Sequence, residues 1–395
     1  MFMTNRELTE AIDLGIIDMS AVHQSIMATK KQQVLKMHKY KIALASDGRY
    51  QTMFVDQTTG KRKNIKGKTE DEVLTKLVDL YFQNTYIDNL TFHDVYTEWL
   101  EHKKLTTSSV NTIVRHRQHY NRYFANSKLD KMKFNKIDSL KLEEECCQII
   151  KNFNMSHKEW QNAKTILNGM YDLAFTKKYI STNLMHDLKI TVKFRQIAKK
   201  SAKTEVFNNS ELPELNSYLD SMISDTHDAS FYAVRINFLL GLRVGELVAL
   251  KWADIENLNL HVVREEVRNQ ETNTYEIEDH TKTHEDRYVT LIPQALELFN
   301  QIDRQGEYVF MRNGERLTSR QIQYVLEKYA ERNDKIVKRS HKMRKTFASR
   351  LANAGVALDF VREQMGHTNL ETTLSYVYNT ATDAETYDLM QKALA

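Results

Sequence analysis

Cysteine is almost missing from this chain: Cys146 and Cys147 are the only two among 395 residues. Neighbouring cysteines rarely pair with each other and have no metal-ligand spacing, so a disulfide scaffold and a thiolate metal site are set aside and a reducing cytoplasm is expected. Proline occurs twice and glycine 11 times. Residues 89–190 contain almost none of either, so nothing there interrupts long helices. No apolar run approaches the roughly 20 residues of a membrane span. The opening MFMTNRELTEAIDLGIIDMS is acidic and broken by charges, which excludes reading it as a signal peptide. What remains, 41% hydrophobic and 27% charged, is ordinary for a globular protein of two or three domains.

Net charge is only +4, but its distribution is uneven. Between Lys30 and Lys68 there are eleven Lys or Arg against two acids, Asp47 and Asp56. Between Lys189 and Lys203 there are six and no acid. A basic stretch is usually a solvated face. Two of them, in a small module and in a linker, raise the prospect of a polyanionic partner.

The chain reads as a multidomain, mainly α protein. In residues 1–88, alternating runs flank a turn at Asp47-Gly48, a second turn at Thr59-Gly60 leads to KRKNIKG, and Thr69 caps a helix. This predicts a three-stranded β-sheet plus helix over about 39–85, while residues 1–38 show only weak helical patterning. Lys61, Arg62, Lys63 and Lys66 load the sheet, which suits an arm-type DNA-binding module. Residues 89–190 read as a helical-bundle core-binding domain. Helices start at Thr91 and Ser108, and Arg115 and Arg117 lie off the apolar face. Residues 191–209 read as a basic linker in which Lys193, Arg195, Lys199 and Lys200 follow a phosphate backbone. Residues 210–395 form a mixed α/β, mostly α, catalytic domain. Ser210 caps its first helix, one small sheet is expected from LHVVREEV, TYEIE and RYVTLI, and the chain is helical from Ser340 to the end.

The chemistry concentrates in four stretches: GLRVGELVALKWADI, TKTHEDRYVTL, SHKMRKTFASRLANAGV and MGHTNLETTLSYVY. Cutting a phosphodiester without a metal needs fixed cations on the non-bridging oxygens, an in-line nucleophile and a proton donor for the leaving hydroxyl. Arg243 and Arg344 suit the clamp, because a guanidinium stays charged and its fork matches phosphate oxygens. Lys282, between two predicted strands, suits the donor. Tyr376 suits a nucleophile that stores the bond as a phosphotyrosine. Taken singly, each is commoner as an ordinary residue: an Arg243–Glu246 pair, a hairpin lysine, a helix-start His341, a turn His367, a core tyrosine. The argument lies in the set and its order.

These four boxes resemble those of the tyrosine recombinases, the phage integrase family, over about half the chain. The three-part layout resembles integrases of temperate phages and conjugative transposons. The resemblance implies that Arg243 and Arg344 hold the scissile phosphate and that Lys282 is the general acid. It further implies that His341 is the base or orients the tyrosine's proton, that His367 bonds a phosphate oxygen, and that Tyr376 attacks to leave a 3′-phosphotyrosine. Glu246 would support Arg243. Three positions depart from the family's habit: Lys342 and Lys345 beside Arg344, and Tyr378 two residues after the nucleophile. Tyr378 offers a second hydroxyl; the spacing of nine residues from His367 favours Tyr376.

The expected activity is site-specific recombination that integrates and excises a mobile element through a Holliday junction, without metal, nucleotide or other cofactor. The expected partners are double-stranded DNA at core and arm sites, a homo-tetramer, and an excision factor or DNA-bending protein, with no membrane; the expected location is cytoplasmic and nucleoid-associated. The amphipathic C-terminal segment, with Tyr387, Leu389, Met390 and Leu394, docks on its own domain or on a neighbour. A type IB topoisomerase-like nicking-closing enzyme and a non-catalytic architectural DNA-binding protein are the alternatives.

Overall fold

A computed structural model describes residues 18–55, 60–281 and 286–395. The chain divides into two units, one ending at Gln196 and the other beginning at Ile197.

The first unit opens with a helix, α1 (Met19–Met37), that the weak sequence pattern understated. It buries Val34 completely and bonds Lys31 to Asp71. Three antiparallel strands follow in the order β1 (Ala43–Leu44), β2 (Tyr50–Val55), β3 (Arg62–Gly67). The DG turn is present, with Gly48 at φ 76°, whereas Thr59 lies outside the described residues. Helix α2 (Glu70–Asn89) covers the sheet, capped by Thr69 accepting from the Glu72 amide. Val34, Phe54, Val73, Leu77 and Val78 form the small core between them.

Strand parity corrects the expectation of one face carrying Lys61, Arg62 and Lys63. Side chains alternate along a strand. Register pairs Phe54 with Lys63, and Val55 and Gln51 with Arg62 and Lys66. Phe54 faces the helices, so Lys63 sits at the rim of that side. Arg62, Asn64 and Lys66 share the outer face.

Four helices then pack together: α3 (Phe92–Thr106), α4 (Val110–Tyr123), α5 (Ser139–Asn152) and α6 (His157–Thr176). Thr91 and Ser156 form full capping boxes with Asp94 and Glu159. Ser109, not Ser108, caps α4, and Arg115 and Arg117 on that helix are exposed. Phe92, Tyr120, Phe124, Trp160 and Tyr171 fill the interior.

The expected linker does not hang free at its start. Val192 and Phe194 pack on the bundle. The Arg195 backbone amide bonds Met155, and its guanidinium is committed to Glu159 at 2.9 Å. Lys193 and Lys200 are exposed.

The second unit begins with a four-residue helix, α7 (Ala202–Glu205). Helices α8 (Glu211–Thr226) and α9 (Ala229–Leu240) follow. Ser210 does not cap α8. The Asn208 carboxamide oxygen accepts from the amides of Ser210 and Glu211 and does that work instead. After Gly241 the helix resumes for one turn only, α10 (Val244–Val248).

The single small sheet is also corrected. LHVVREEV divides into two strands that join different ladders. Strands β4 (Ile255–Glu256), β5 (Asn259–Val262) and β8 (Arg287–Thr290) make one sheet; β6 (Glu265–Arg268) and β7 (Tyr275–Glu278) make a separate ribbon. The segment holding Lys282 therefore connects two ladders rather than closing a hairpin, and Lys282 itself is outside the described residues.

Helix α11 (Pro293–Asn300), the short ribbon β9 (Met311–Arg312) with β10 (Glu315–Arg316), and helix α12 (Ser319–Arg332) come next. Helices α13 (His341–Asn353), α14 (Leu358–Met365), α15 (Leu370–Leu374) and α16 (Asp383–Leu394) complete the unit. Helix α9 is the hub of the core, with Tyr232, Val234, Ile236 and Phe238 buried and with α8, α11, α12 and α13 packed around it. Among the described residues no helix is long and apolar enough to cross a membrane.

Candidate active site

Helix α9 ends on Gly241 at φ 64°, a left-handed cap that turns the chain at once into Leu242 and Arg243. Arg243 stands at the start of α10, and one turn later Glu246 folds back beneath it. The Arg243 amide and guanidinium both donate to that carboxylate, at 2.9 and 2.6 Å. Glu246 has a second cation that the sequence reading did not flag. Arg287, on β8, donates from both terminal nitrogens to its two oxygens, at 3.0 and 2.6 Å. Burial alone would raise the Glu246 pKa. The Arg287 pair overrides that, helped by Arg344 and Arg243, and holds it at about 2.

The C-terminal end of α14 supplies the remaining anchors. Carbonyls here have no helical partner and carry the negative end of the helix dipole. Three in succession take one arginine each: Gln364 accepts from Arg287, Met365 from Arg344, and Gly366 from Arg243. Arg344 also donates to the Gly241 carbonyl at 2.8 Å. It is only 1% exposed, and its Nε is buried with no hydrogen-bond partner. Burial lowers its pKa to about 9, which leaves it charged at neutral pH.

Gly366 adopts φ 61° and delivers His367, which is buried. The His367 Nδ1 and the Thr373 hydroxyl share a hydrogen bond of 3.0 Å. Burial first, then Arg344, Arg243 and Arg287, push His367 down to about 3. His341 keeps an exposed face. Desolvation by its neighbours, followed by repulsion from Arg344, Lys345, Lys342 and Arg243, lowers it to about 4. Both imidazoles are neutral at pH 7.

Tyr376 closes the cluster. Its ring lies edge-on to His341 at 5.1 Å and to His367 at 4.8 Å between centroids. It is not on a helix, as the sequence suggested, but in the turn directly after α15, where its amide bonds the Thr373 carbonyl. The Ser349 hydroxyl donates to the Tyr376 carbonyl and accepts from the Tyr378 amide. A cavity of about 490 Å³ is lined by Arg243, His341, His367 and Tyr376. Neither Arg344 nor Tyr378 is in its wall, but the buried Arg344 charge acts on both His341 and His367. Tyr378 packs instead against the ammonium groups of Lys199 and Lys345.

Residues 205–383 match the model of the phage integrase family. The match spans 179 of the 395 residues, about 45% of the chain. The XerC-like tyrosine recombinase of Caldanaerobacter subterraneus subsp. tengcongensis is 26% identical over 357 residues, 79% of this chain and 86% of that protein. Among solved structures, the Tn1549 transposon integrase bound to a circular intermediate DNA superposes with TM-score 0.57 at 21% identity, over 77% of this chain and 99% of that one. The lambda integrase dimer on a core site gives TM-score 0.53 at 15% identity, over 85% and 93%. At these identities the superpositions speak to fold.

Of the residues named from the sequence, the structure brings Arg243, Glu246, His341, Arg344, His367 and Tyr376 together; Arg287, Ser349 and Thr373 were not anticipated. Arg287 had one available signal, the Arg-x-Val-x-Leu pattern of its strand. Ser349 and Thr373 had none, since a hydroxyl in a helix is common. Among the described residues no group of His, Cys, Asp and Glu could hold a metal ion.

Proposed function

We propose that this protein is a site-specific DNA recombinase that cuts and rejoins DNA through a covalent 3′-phosphotyrosine, integrating and excising a mobile element. The observation that carries this reading is the convergence of Arg243, His341, His367 and Tyr376 on one cavity, with the buried Arg344 charge acting on both histidines. Three guanidiniums, those of Arg287, Arg344 and Arg243, act on the one Glu246 carboxylate, while Glu266 in the cavity wall is paired with Arg316. The orphaned Nε of Arg344 is a buried donor lacking its acceptor, which a phosphate oxygen would supply.

In the reaction, Arg243 and Arg344 hold the non-bridging oxygens of the scissile phosphate, and His367 hydrogen-bonds one of them. The Tyr376 hydroxyl attacks phosphorus as neutral His341 takes or orients its proton. The 5′-oxygen leaves and receives a proton from Lys282. One phosphodiester is exchanged for another, so religation by a second 5′-hydroxyl reverses the step with no external energy.

The working unit is a homo-tetramer on two core sites in the cytoplasm, at the nucleoid. The bundle of residues 89–190 helps to clamp the core site and the outer face of the β1–β3 sheet holds arm sites, with an excision or bending factor assisting. Helix α16 supports the tetramer. It buries no residue and exposes Tyr387, Leu389, Met390 and Leu394. The same unit has a groove of about 1160 Å³ floored by Leu239, Leu298, Phe347 and Leu351. We assign that groove to α16 of a second copy.

The test uses a nicked suicide duplex carrying an element end, without magnesium. Wild type should form a covalent protein–DNA band, Tyr378→Phe should retain it and Tyr376→Phe should lose it. A band lost only in Tyr378→Phe would move the nucleophile. No band from wild type on bound DNA would leave the architectural reading.

A further inference from the structure

The two lysines that depart from the family's habit share one buried partner. Glu205, at the end of α7, is 3% exposed. It accepts from Lys342 and, at 2.5 Å, from Lys345. Both lysines lie on α13, three residues apart on one face, and Lys345 stands one turn beyond His341. Beyond Glu205 the fastening continues. The Phe207 amide donates to the Thr346 hydroxyl at 2.9 Å, and the Lys338 ammonium donates to the Val206 carbonyl at 2.8 Å. The Asn209 amide bonds the Thr380 carbonyl, just past the tyrosine segment.

Lys345 has a second role. Its ammonium sits 5.7 Å from the centre of the Tyr376 ring and 5.2 Å from that of Tyr378. A cation between two aromatic faces attracts both. It can hold that place only if its charge is aimed, and Glu205 aims it. A lysine without that carboxylate would turn its flexible stem toward water.

We propose that Glu205 is a positioning residue for strand cleavage, acting through Lys345 to fix the turn that presents Tyr376. The linker's exit and the nucleophile's turn are thereby one mechanical piece, and displacement of α7 moves the tyrosine. This rests on Tyr376 being the nucleophile.

The experiment measures covalent adduct formation by the full-length chain at rising suicide-duplex concentration. Wild type and Tyr376→Phe are run first; if wild type forms no Tyr376-dependent adduct, the proposed function fails and the variants are not interpreted. Given that adduct, Lys345→Gln and Glu205→Gln should each slow the rate at saturating DNA about tenfold, the scale of a small misplacement of the reacting atom. The half-saturating DNA concentration should stay within about twofold. Lys345→Arg, which keeps a cation for both the carboxylate and the rings, should recover most of the rate. The double variant should be no slower than the slower single one, because both changes break one path. Lys345→Gln leaves the Glu205–Lys342 pair in place, so it stands alone if Glu205→Gln does not fold. Unchanged saturating rates would overturn the proposal. So would a defect wholly in DNA affinity, failure of Lys345→Arg to rescue, or additive losses in the double variant.

Discussion

Replacing Glu246 by Gln keeps the side chain's shape and removes its charge. The carboxylate is wholly buried and is shared by Arg243 and Arg287. Removing one partner of a buried ion pair costs about 3–5 kcal/mol, because the remaining charge has no compensation. Proton linkage gives a similar figure. Folding lowers the Glu246 pKa from 4.5 to about 2, which is worth about 3 kcal/mol at neutral pH. That stability is present above pH 4.5 and is lost as pH falls through about 2. For a unit of some 200 residues, each kcal/mol moves the melting temperature by about 2–4 °C. Glu246→Gln should therefore lower the transition of the second unit by about 6–20 °C in calorimetry of the full chain at pH 7.5. The transition of the first unit should not move. Adduct formation should fall even below the melting range, since Arg243 loses the carboxylate that aims it. A shift under about 3 °C would refute the reasoning, as it would mean that water or other groups already compensate the two guanidiniums.

Gly241→Ala places a Cβ 2.2 Å from the Phe347 ring at a left-handed backbone position; strain and overlap should cost about 2–4 kcal/mol in urea unfolding, and a loss under about 1 kcal/mol would contradict the packing. His367 is held neutral, with its pKa lowered from 6.5 to about 3, so the unfolded chain takes up the proton first as pH falls. Its contribution is intact above pH 6.5 and drops by about 2 kcal/mol at pH 5, and His367→Gln should flatten that part of the pH–stability curve. In α16, Leu389→Asp with Met390→Asp should abolish tetramers on paired duplexes, read by light scattering, while leaving single-site adduct formation intact; retained tetramers would remove α16 from the interface.

The parts of this chain legible in its sequence are those whose signal is local. Thr69 and Thr91 announce helix starts because a capping oxygen must stand within three residues of the amide it serves, whereas Ser108 and Ser210 mislead because neighbouring Ser109 and Asn208 supply that oxygen. The hydrophobic faces of α3 to α6 follow from a 3.6-residue period. Strand partners were not legible. LHVVREEV reads as one run, but its two halves pair with Arg287–Thr290 and with Tyr275–Glu278, a choice made by tertiary packing. Three consecutive basic residues looked like one face, and alternation divides them between two. Glu205 was invisible for another reason: a lone acid at the end of a basic, aperiodic stretch looks like linker until the two lysines 137 and 140 residues later fold onto it.

The four boxes also explain one another. The glycine before Leu242-Arg243 is the left-handed cap of α9, and its carbonyl takes Arg344 from the third box. The glycine before His367 is the left-handed cap of α14, and its carbonyl takes Arg243 from the first. A left-handed cap is where a helix leaves its last carbonyls without an intrahelical partner. The same residue that ends each helix therefore exposes the acceptor that orients another box's cation. Arg287 of the second box completes the circuit through Gln364 and Glu246. No box can place its functional side chain alone, so a change of spacing in one should displace a cation belonging to another.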